Sequence, residues 1–238
     1  SKATEFRRRF DLGHADPIQI DTLLIKLDLL TVFAQMSSSF SGMAAKFDEN
    51  GFLLINCSLP KSRQIFTICH ELYHLFLQKD FEFEVITDTK NGGSKSDTEK
   101  LADAFAKELL MPEKGIQEIL LKQNYIGKNI ELDHIIKLEQ YFQVSRKAMV
   151  YRLLNLDFIS KKDDLETKYF RNVKESAQKR GYDTSLYEPT APRIVSSDYF
   201  EKAQYLYNQE KIGMTDYAQL LKDIGIDLFD LLEDENRP

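Results

Sequence analysis

Thr67-Ile68-Cys69-His70-Glu71-Leu72-Tyr73-His74-Leu75-Phe76 sets two histidines four residues apart, with a glutamate directly after the first. Ile65, Phe66, Cys69, Leu72, Tyr73 and Phe76 recur at three- and four-residue spacing, the period of one buried helical stripe. No Gly or Pro interrupts residues 61–79, and Ser62 is the expected N-cap. On such a helix His70 and His74 share a face one turn apart and can aim both imidazoles at one point. Neutral imidazole is a good zinc ligand, and zinc accepts the tetrahedral geometry such a pair begins. Glu71 is offset by roughly 100° around the helix. It flanks the metal without having to ligate it, where a base is needed to take a proton from water. H-E-x-x-H is the pattern of zinc-dependent peptide hydrolases. The pentapeptide alone is short enough to recur by accident, so an amphipathic helix that happens to carry two histidines remains the plainer alternative until a third ligand is found.

A third ligand is available on a second predicted helix, from about Asp97 to Leu110, with Ser96 or Asp97 as N-cap and Pro112 as the stop. Glu99 and Asp103 are again four apart and share a face. Ala102 and Ala106 leave that side slim enough for close approach to the histidine helix. Glu99 can then give a carboxylate oxygen to the metal. Asp103 can accept a hydrogen bond from the ring N–H of a ligating histidine and fix its tautomer. Two histidines and one glutamate leave a fourth position open for water, the mark of a catalytic rather than a structural zinc. Read blandly, Glu99 is a first-turn glutamate at the positive end of the helix dipole and Asp103 a solvated charge.

The runs Arg63-Gln64-Ile65-Phe66-Thr67-Ile68-Cys69-His70-Glu71-Leu72-Tyr73-His74 and Glu99-Lys100-Leu101-Ala102-Asp103-Ala104-Phe105-Ala106-Lys107-Glu108-Leu109-Leu110-Met111-Pro112 resemble the ImmA/IrrE family of zinc metallo-endopeptidases. That family shows R-Q-x-F-T-x-x-H-E-x-x-H followed by E-x-x-A-[ND]-x-F-A-x-x-L-L-M-P. The resemblance implies an α+β, zincin-like core with one Zn2+ per chain, His70, His74 and Glu99 as metal ligands, and Glu71 as general base. The family commonly has Gly where this chain has Tyr73, and a large side chain there either narrows the cleft or packs beside it.

The rest of the 238-residue chain is read around this pair. A hydrophobic content of 42% is enough for a sizeable core. The net charge of −6 argues against nucleic acid as the main ligand, since phosphate binding needs a positive surface. The only two cysteines, Cys57 and Cys69, suggest no disulfide framework. Arg7-Arg8-Arg9 precedes no long apolar region, and no apolar run approaches the roughly 18 residues of a membrane span. A reduced, cytoplasmic protein is expected.

Residues 1–16 are polar, a helix or a tail, with His14 a surface residue. Residues 17–30 have a helix period. Residues 31–36, 43–47 and 52–57 read as strands, the last two joined by an Asn50-Gly51 hairpin turn, so a small antiparallel sheet is expected before the metal helix. The serine-rich loop 37–42 and the strand after it are candidates for a rim that holds an extended substrate by β-augmentation. Residues 81–86 alternate like a strand, and the Gly92-Gly93 connector between the two ligand helices is a candidate lid. After Pro112 helices dominate. Residues 131–142 and 146–154, broken at Gln143-Val144-Ser145, resemble a helix-turn-helix and match a similar F-x-V-S-x-x-A-M-x-x-R-L segment of the family. The near-balance of charge from Lys128 to Asp157 favours a structural or partner-docking pair over a DNA reader. Helices are expected over 161–180, 197–209, 215–223 and 226–232, with Thr215 capping the third and a loop at 181–192. The expected organisation is a peptidase core over 1–125, a helix-turn-helix-like subdomain over 126–157, and a helical C-terminal region over 158–238.

The function these readings imply is a zinc endopeptidase that uses metal-activated water and the Glu71 base. An additional oxyanion donor is expected in the cleft, with Tyr73, Tyr125, His134 and Tyr141 as candidates. By resemblance, the substrate is an Xre-type helix-turn-helix repressor in the cytoplasm. The alternative is a catalytically silent, regulatory zinc-binding module that partners such a repressor. Retention of Glu71 argues against that alternative, since a structural zinc needs no adjacent base.

Overall fold

A computed structural model describes residues 1–47, 50–79, 81, 83–87, 96–122, 130–160, 165–228 and 231. In chain order the elements are α1 (Lys2–Arg9), α2 (Ile20–Lys26), β1 (Leu30–Ala34), β2 (Phe40–Phe47), β3 (Asn50–Asn56), α3 (Lys61–Leu77), β4 (Phe83–Thr87), α4 (Asp97–Leu110), α5 (Glu113–Lys122), α6 (Leu132–Phe142), α7 (Arg146–Asn155), α8 (Leu165–Tyr169), α9 (Val173–Gln178), a 3-10 turn (Ser185–Tyr187), β5 (Arg193–Val195), α10 (Tyr199–Asn208) and α11 (Met214–Asp223). The class is α+β: one sheet, with the rest of the described chain mainly helical.

The sheet runs β4-β2-β3-β1-β5. It is mixed rather than wholly antiparallel, because β3 inserts between β1 and β2 and lies parallel to β1 (Val32 opposite Leu54), while the other pairs are antiparallel. The serine-rich connection from β1 must therefore pass the end of β3. The buried amide of Asn56 makes that crossing possible. Its Oδ1 accepts from the backbone N–H groups of Met36 and Ser58, and its Nδ2 donates to the carbonyls of Ser37 and Phe40. One side chain thus satisfies backbone groups that have no strand to pair with.

Two expectations about this sheet need correction. The β2–β3 hairpin exists, but Phe47 pairs with Asn50, so Asn50 and Gly51 already belong to β3. Gly51 instead allows a close approach: a Cβ there would stand 2.3 Å from Leu29 Cδ2, so a larger residue would require the Leu29 side chain to shift. The strand proposed as a substrate rim, β2, is an interior strand paired on both sides, and the edge on that side is β4.

Helix α3 lies against the sheet, against α4 and against the 3-10 turn, which is why residues 64–74 are buried apart from half-buried Phe66. It comes so close to β2 that a Cβ on Gly42 would stand 2.6 Å from Thr67 Cγ2. Its start is not capped by Ser62, which lies within the first turn and is buried. Instead the Lys61 N–H donates to the carbonyl of Glu188 (2.8 Å), and Thr190 Oγ1 donates to the buried Gln64 side chain (2.9 Å). A segment far along the chain thus holds the start of the central helix, and β5 just after it extends the sheet beside β1.

The N-terminal residues are a docked helix. Phe6 of α1 lies edge-on to Phe76 of α3 and to Phe105 of α4, at 5.8 and 5.5 Å between centroids. Buried Arg7 donates through Nε to the Leu109 carbonyl at the end of α4 (2.9 Å), and through its Nη atoms to the carbonyls of Leu12, Gly13 and Asp16. A cation is favoured there, since the last carbonyls of a helix lack internal partners.

The α6–α7 pair turns at Gln143, in the left-handed region (φ 56°), and Ser145 caps α7 by accepting from the Ala148 N–H. Arg146, the first residue of α7, is buried. Its Nη2 donates to Glu139 Oε1 of α6 (2.8 Å) and to Ser176 of α9 (3.2 Å), and its Nη1 donates to the Tyr169 carbonyl of α8 (3.1 Å). Tyr187 also donates to Glu139. Burial raises the pKa of Glu139, opposed by its bonds to Arg146 and Tyr187. Helices α10 and α11 form a second small cluster around Ala203, Tyr217 and Leu221. Helix α11 starts at Met214 rather than after Thr215, with the Asp216 carboxylate accepting from the Gly213 N–H. Of the helix expected over 226–232, Ile226 and Asp227 are not helical, Leu228 and Leu231 are, and residues 229, 230 and 232 lie outside the described residues, as does the Gly92-Gly93 connector.

Candidate metal centre

Helix α3 carries His70, Glu71 and His74; helix α4 carries Glu99 and Asp103. The two helices approach closely because Ala102 and Ala106 are fully buried at their contact. Ser96 caps α4 by accepting from the Glu99 N–H at 3.2 Å, which places Glu99 in the first turn. His70 Nε2 then lies 3.3 Å from Glu99 Oε2, and His74 Nε2 lies 3.2 Å from Glu99 Oε1. One ligand atom from each of the three residues falls within 4.8 Å of the others.

These distances fit a metal. A tetrahedron with ligand bonds of about 2.0 Å has edges of about 3.3 Å. His70 Nε2 and Glu99 Oε1 are also buried without a hydrogen-bond partner, a costly arrangement that a shared cation would relieve. Two imidazoles and one carboxylate make a donor set suited to zinc and to other divalent transition metals. His70, His74 and Glu99 can therefore hold one metal ion.

The other ring nitrogens are also engaged. His70 Nδ1 is 3.0 Å from Asp103 Oδ1, and His74 Nδ1 is 2.5 Å from Gln78 Oε1. Burial opposes protonation of His70, but contacts with Asp103 and Glu99 outweigh it, so its pKa is raised. Contacts with His70 and His74 hold the Glu99 carboxyl well below the usual carboxylate range. The histidine side chains are 3% and 0% exposed, whereas Glu99 and Asp103 keep 21% and 20%, so solvent reaches the centre from the α4 side. Glu71, which follows His70 in α3, is fully buried.

The sequence around this centre matches a family. Residues 26–154, more than half of the chain, match the model of Peptidase_M78, the IrrE N-terminal-like domain. The chain belongs to the Peptidase_M78 family. No curated protein matches it at a significant level. Within the Peptidase_M78 segment lie β1 to β4, both ligand-bearing helices, α6 and all of α7 but its last residue, whereas α1 and the residues from Asn155 onward lie outside it. The family match supports a peptidase with a metal centre, and the three ligand candidates fall inside the matched range.

The remaining sequence candidates divide. Tyr73 does not narrow a cleft: it is 4% exposed and packs in the core, 5.8 Å from the Phe105 ring, with Lys2 Nζ 5.1 Å from its centroid. His134 serves the start of α6, where its Nδ1 accepts from the Glu131 N–H at 2.8 Å, and burial lowers its pKa. Tyr141 is exposed on α6, and Tyr125 lies outside the described residues. His14 sits at the surface, 3.7 Å from Glu118. Cys69 is fully buried in the hydrophobic core, and burial pushes its thiol pKa up. Two residues with no site role assigned from sequence flank His74: Gln78, and Phe81, which stacks on its ring at 5.7 Å. The four-residue step from His74 to Gln78 is the signal that points to the first of them. Among the described residues no helix is long and apolar enough to cross a membrane.

Proposed function

We propose that this chain is a zinc-dependent endopeptidase that cuts a specific cytoplasmic protein, an Xre-type helix-turn-helix repressor. The observation that carries the reading is the convergence of His70, His74 and Glu99, with buried Glu71 following His70, within a Peptidase_M78 domain. When bound, zinc supplies Lewis acidity to a water molecule and to the scissile carbonyl. Glu71 accepts the proton of that water on its carboxylate and passes it to the leaving amine. Asp103 holds His70 through Nδ1, so that Nε2 faces the centre. An extended substrate segment fits the outer edge of β4, which has no strand partner among the described residues and follows Phe81 on His74.

The repressor assignment rests on the family resemblance of the two ligand-bearing runs. A DNA-reading role for the α6–α7 pair is disfavoured, because Arg146 at the start of α7, where a recognition helix meets bases, is buried against α8 and α9. The test compares wild type with Glu71→Gln for bound zinc and for cleavage of an Xre-type repressor. One zinc in both proteins with cleavage by wild type alone is the expected result. Zinc in both with no cleavage of any repressor or generic peptide would identify a regulatory zinc-binding module. Failure of both to bind metal would remove the metal centre itself.

A further inference from the structure

We infer that Gln78 is a positioning residue for His74: its side-chain carbonyl holds the imidazole in the Nδ1–H tautomer and so reserves Nε2 for a metal ion. The inference rests on the metal-site reading above and adds a residue to it. Gln78 is the C-cap of α3, where the backbone leaves the helix in an extended conformation (φ −78°, ψ 132°) while its N–H still donates to the Tyr73 carbonyl. That anchored exit lets the side chain fold back one turn, bringing Oε1 to 2.5 Å from His74 Nδ1. A neutral imidazole has one N–H and one lone pair. Nε2 faces the candidate centre, and ligating a metal there uses its lone pair; the proton must then sit on Nδ1, and Nδ1–H requires an acceptor. The amide oxygen is that acceptor. With the amide reversed, its NH2 would donate to Nδ1 and drive the proton onto Nε2, the state unable to ligate.

The two histidines are thus supported differently. His70 receives a carboxylate, Asp103, from α4, the helix that also brings Glu99. His74 receives a neutral amide from the C-cap of its own helix, so this contact forms without the docking of α4. An uncharged acceptor also fixes the ring without adding a third carboxylate beside Glu99 and Asp103.

The test uses the full chain with metal removed by chelation and with nitrogen-15 in its histidine rings. The His74 ring resonances of wild type should report Nδ1–H. Gln78→Leu, which keeps the bulk and deletes the acceptor, should shift them toward Nε2–H. In competition with a chromophoric chelator it should bind zinc about 10–100-fold more weakly. Gln78→Glu, an acceptor only, should retain Nδ1–H and bind zinc at least as well as wild type. Nε2–H in the wild-type protein overturns the inference without any variant. So does unchanged affinity in Gln78→Leu, or a loss that Gln78→Glu shares, which would mark Gln78 as merely structural. If wild type binds no zinc, the metal-site reading fails, while the ring resonances still decide the role of Gln78.

Discussion

Asp103 Oδ1 sits 3.0 Å from His70 Nδ1, so the helix that presents Glu99 to the centre also orients the histidine opposite it. Loss of this contact acts on metal affinity rather than on the fold, because Asp103 is partly exposed and lies outside the hydrophobic core. Asp103→Ala should weaken zinc binding by about 10–100-fold with a near-normal unfolding temperature. Chelator competition and thermal unfolding check the two halves separately.

Metal uptake should release protons. The raised pKa of His70 means that the metal-free chain holds a proton there above the ordinary histidine value of about 6.5. A group raised in the folded state adds stability that is complete below its unfolded pKa and is lost as pH rises through the folded value. A metal ion has to displace that proton, so affinity should climb with pH through neutrality and then level off. Calorimetry in buffers of different ionisation enthalpy would count the protons; a count of zero near pH 6.5 would contradict the coupling of His70 to Asp103 and Glu99.

Tyr73 should behave as a core residue. Its ring is buried beside Phe105, so Tyr73→Ala should cost about 3–5 kcal/mol of stability, as other aromatic truncations in cores do. Denaturant unfolding measures the loss. A stable Tyr73→Ala protein with faster peptide turnover would show instead that the ring restricts the cleft.

The buried Glu139–Arg146 pair ties α6 and α7 to α8, α9 and the 3-10 turn. Removing one partner strands the other charge in the interior. Arg146→Met and Glu139→Leu should each destabilise by about 3–5 kcal/mol, and the double variant should recover much of that. A double-variant cycle in urea is the measurement.

Much of the local structure was legible because helices announce themselves at short range. The spacing of Ile65, Cys69, Leu72 and Phe76 specified α3, and Ser145 and Pro112 marked a helix start and a helix stop. The same spacing put His70 with His74 and Glu99 with Asp103, leaving only the approach of the two helices to bring them together. Asn50-Gly51 misled because two reasons for glycine look alike in a sequence. The residue serves a turn in one case and a close approach, here to Leu29, in the other.

The sequence by itself determined helices such as α3, α4, α6 and α7, the ligand pairs on the first two and the α+β class, since these depend on periods of a few residues. Only the tertiary structure decided that β3 separates β1 from β2, and that Glu188 and Thr190 hold the start of α3. It likewise decided that Arg7 closes the end of α4 and that Tyr73 faces the core. Those outcomes depend on which distant backbone groups and side chains meet once the core has packed, and no local period encodes them.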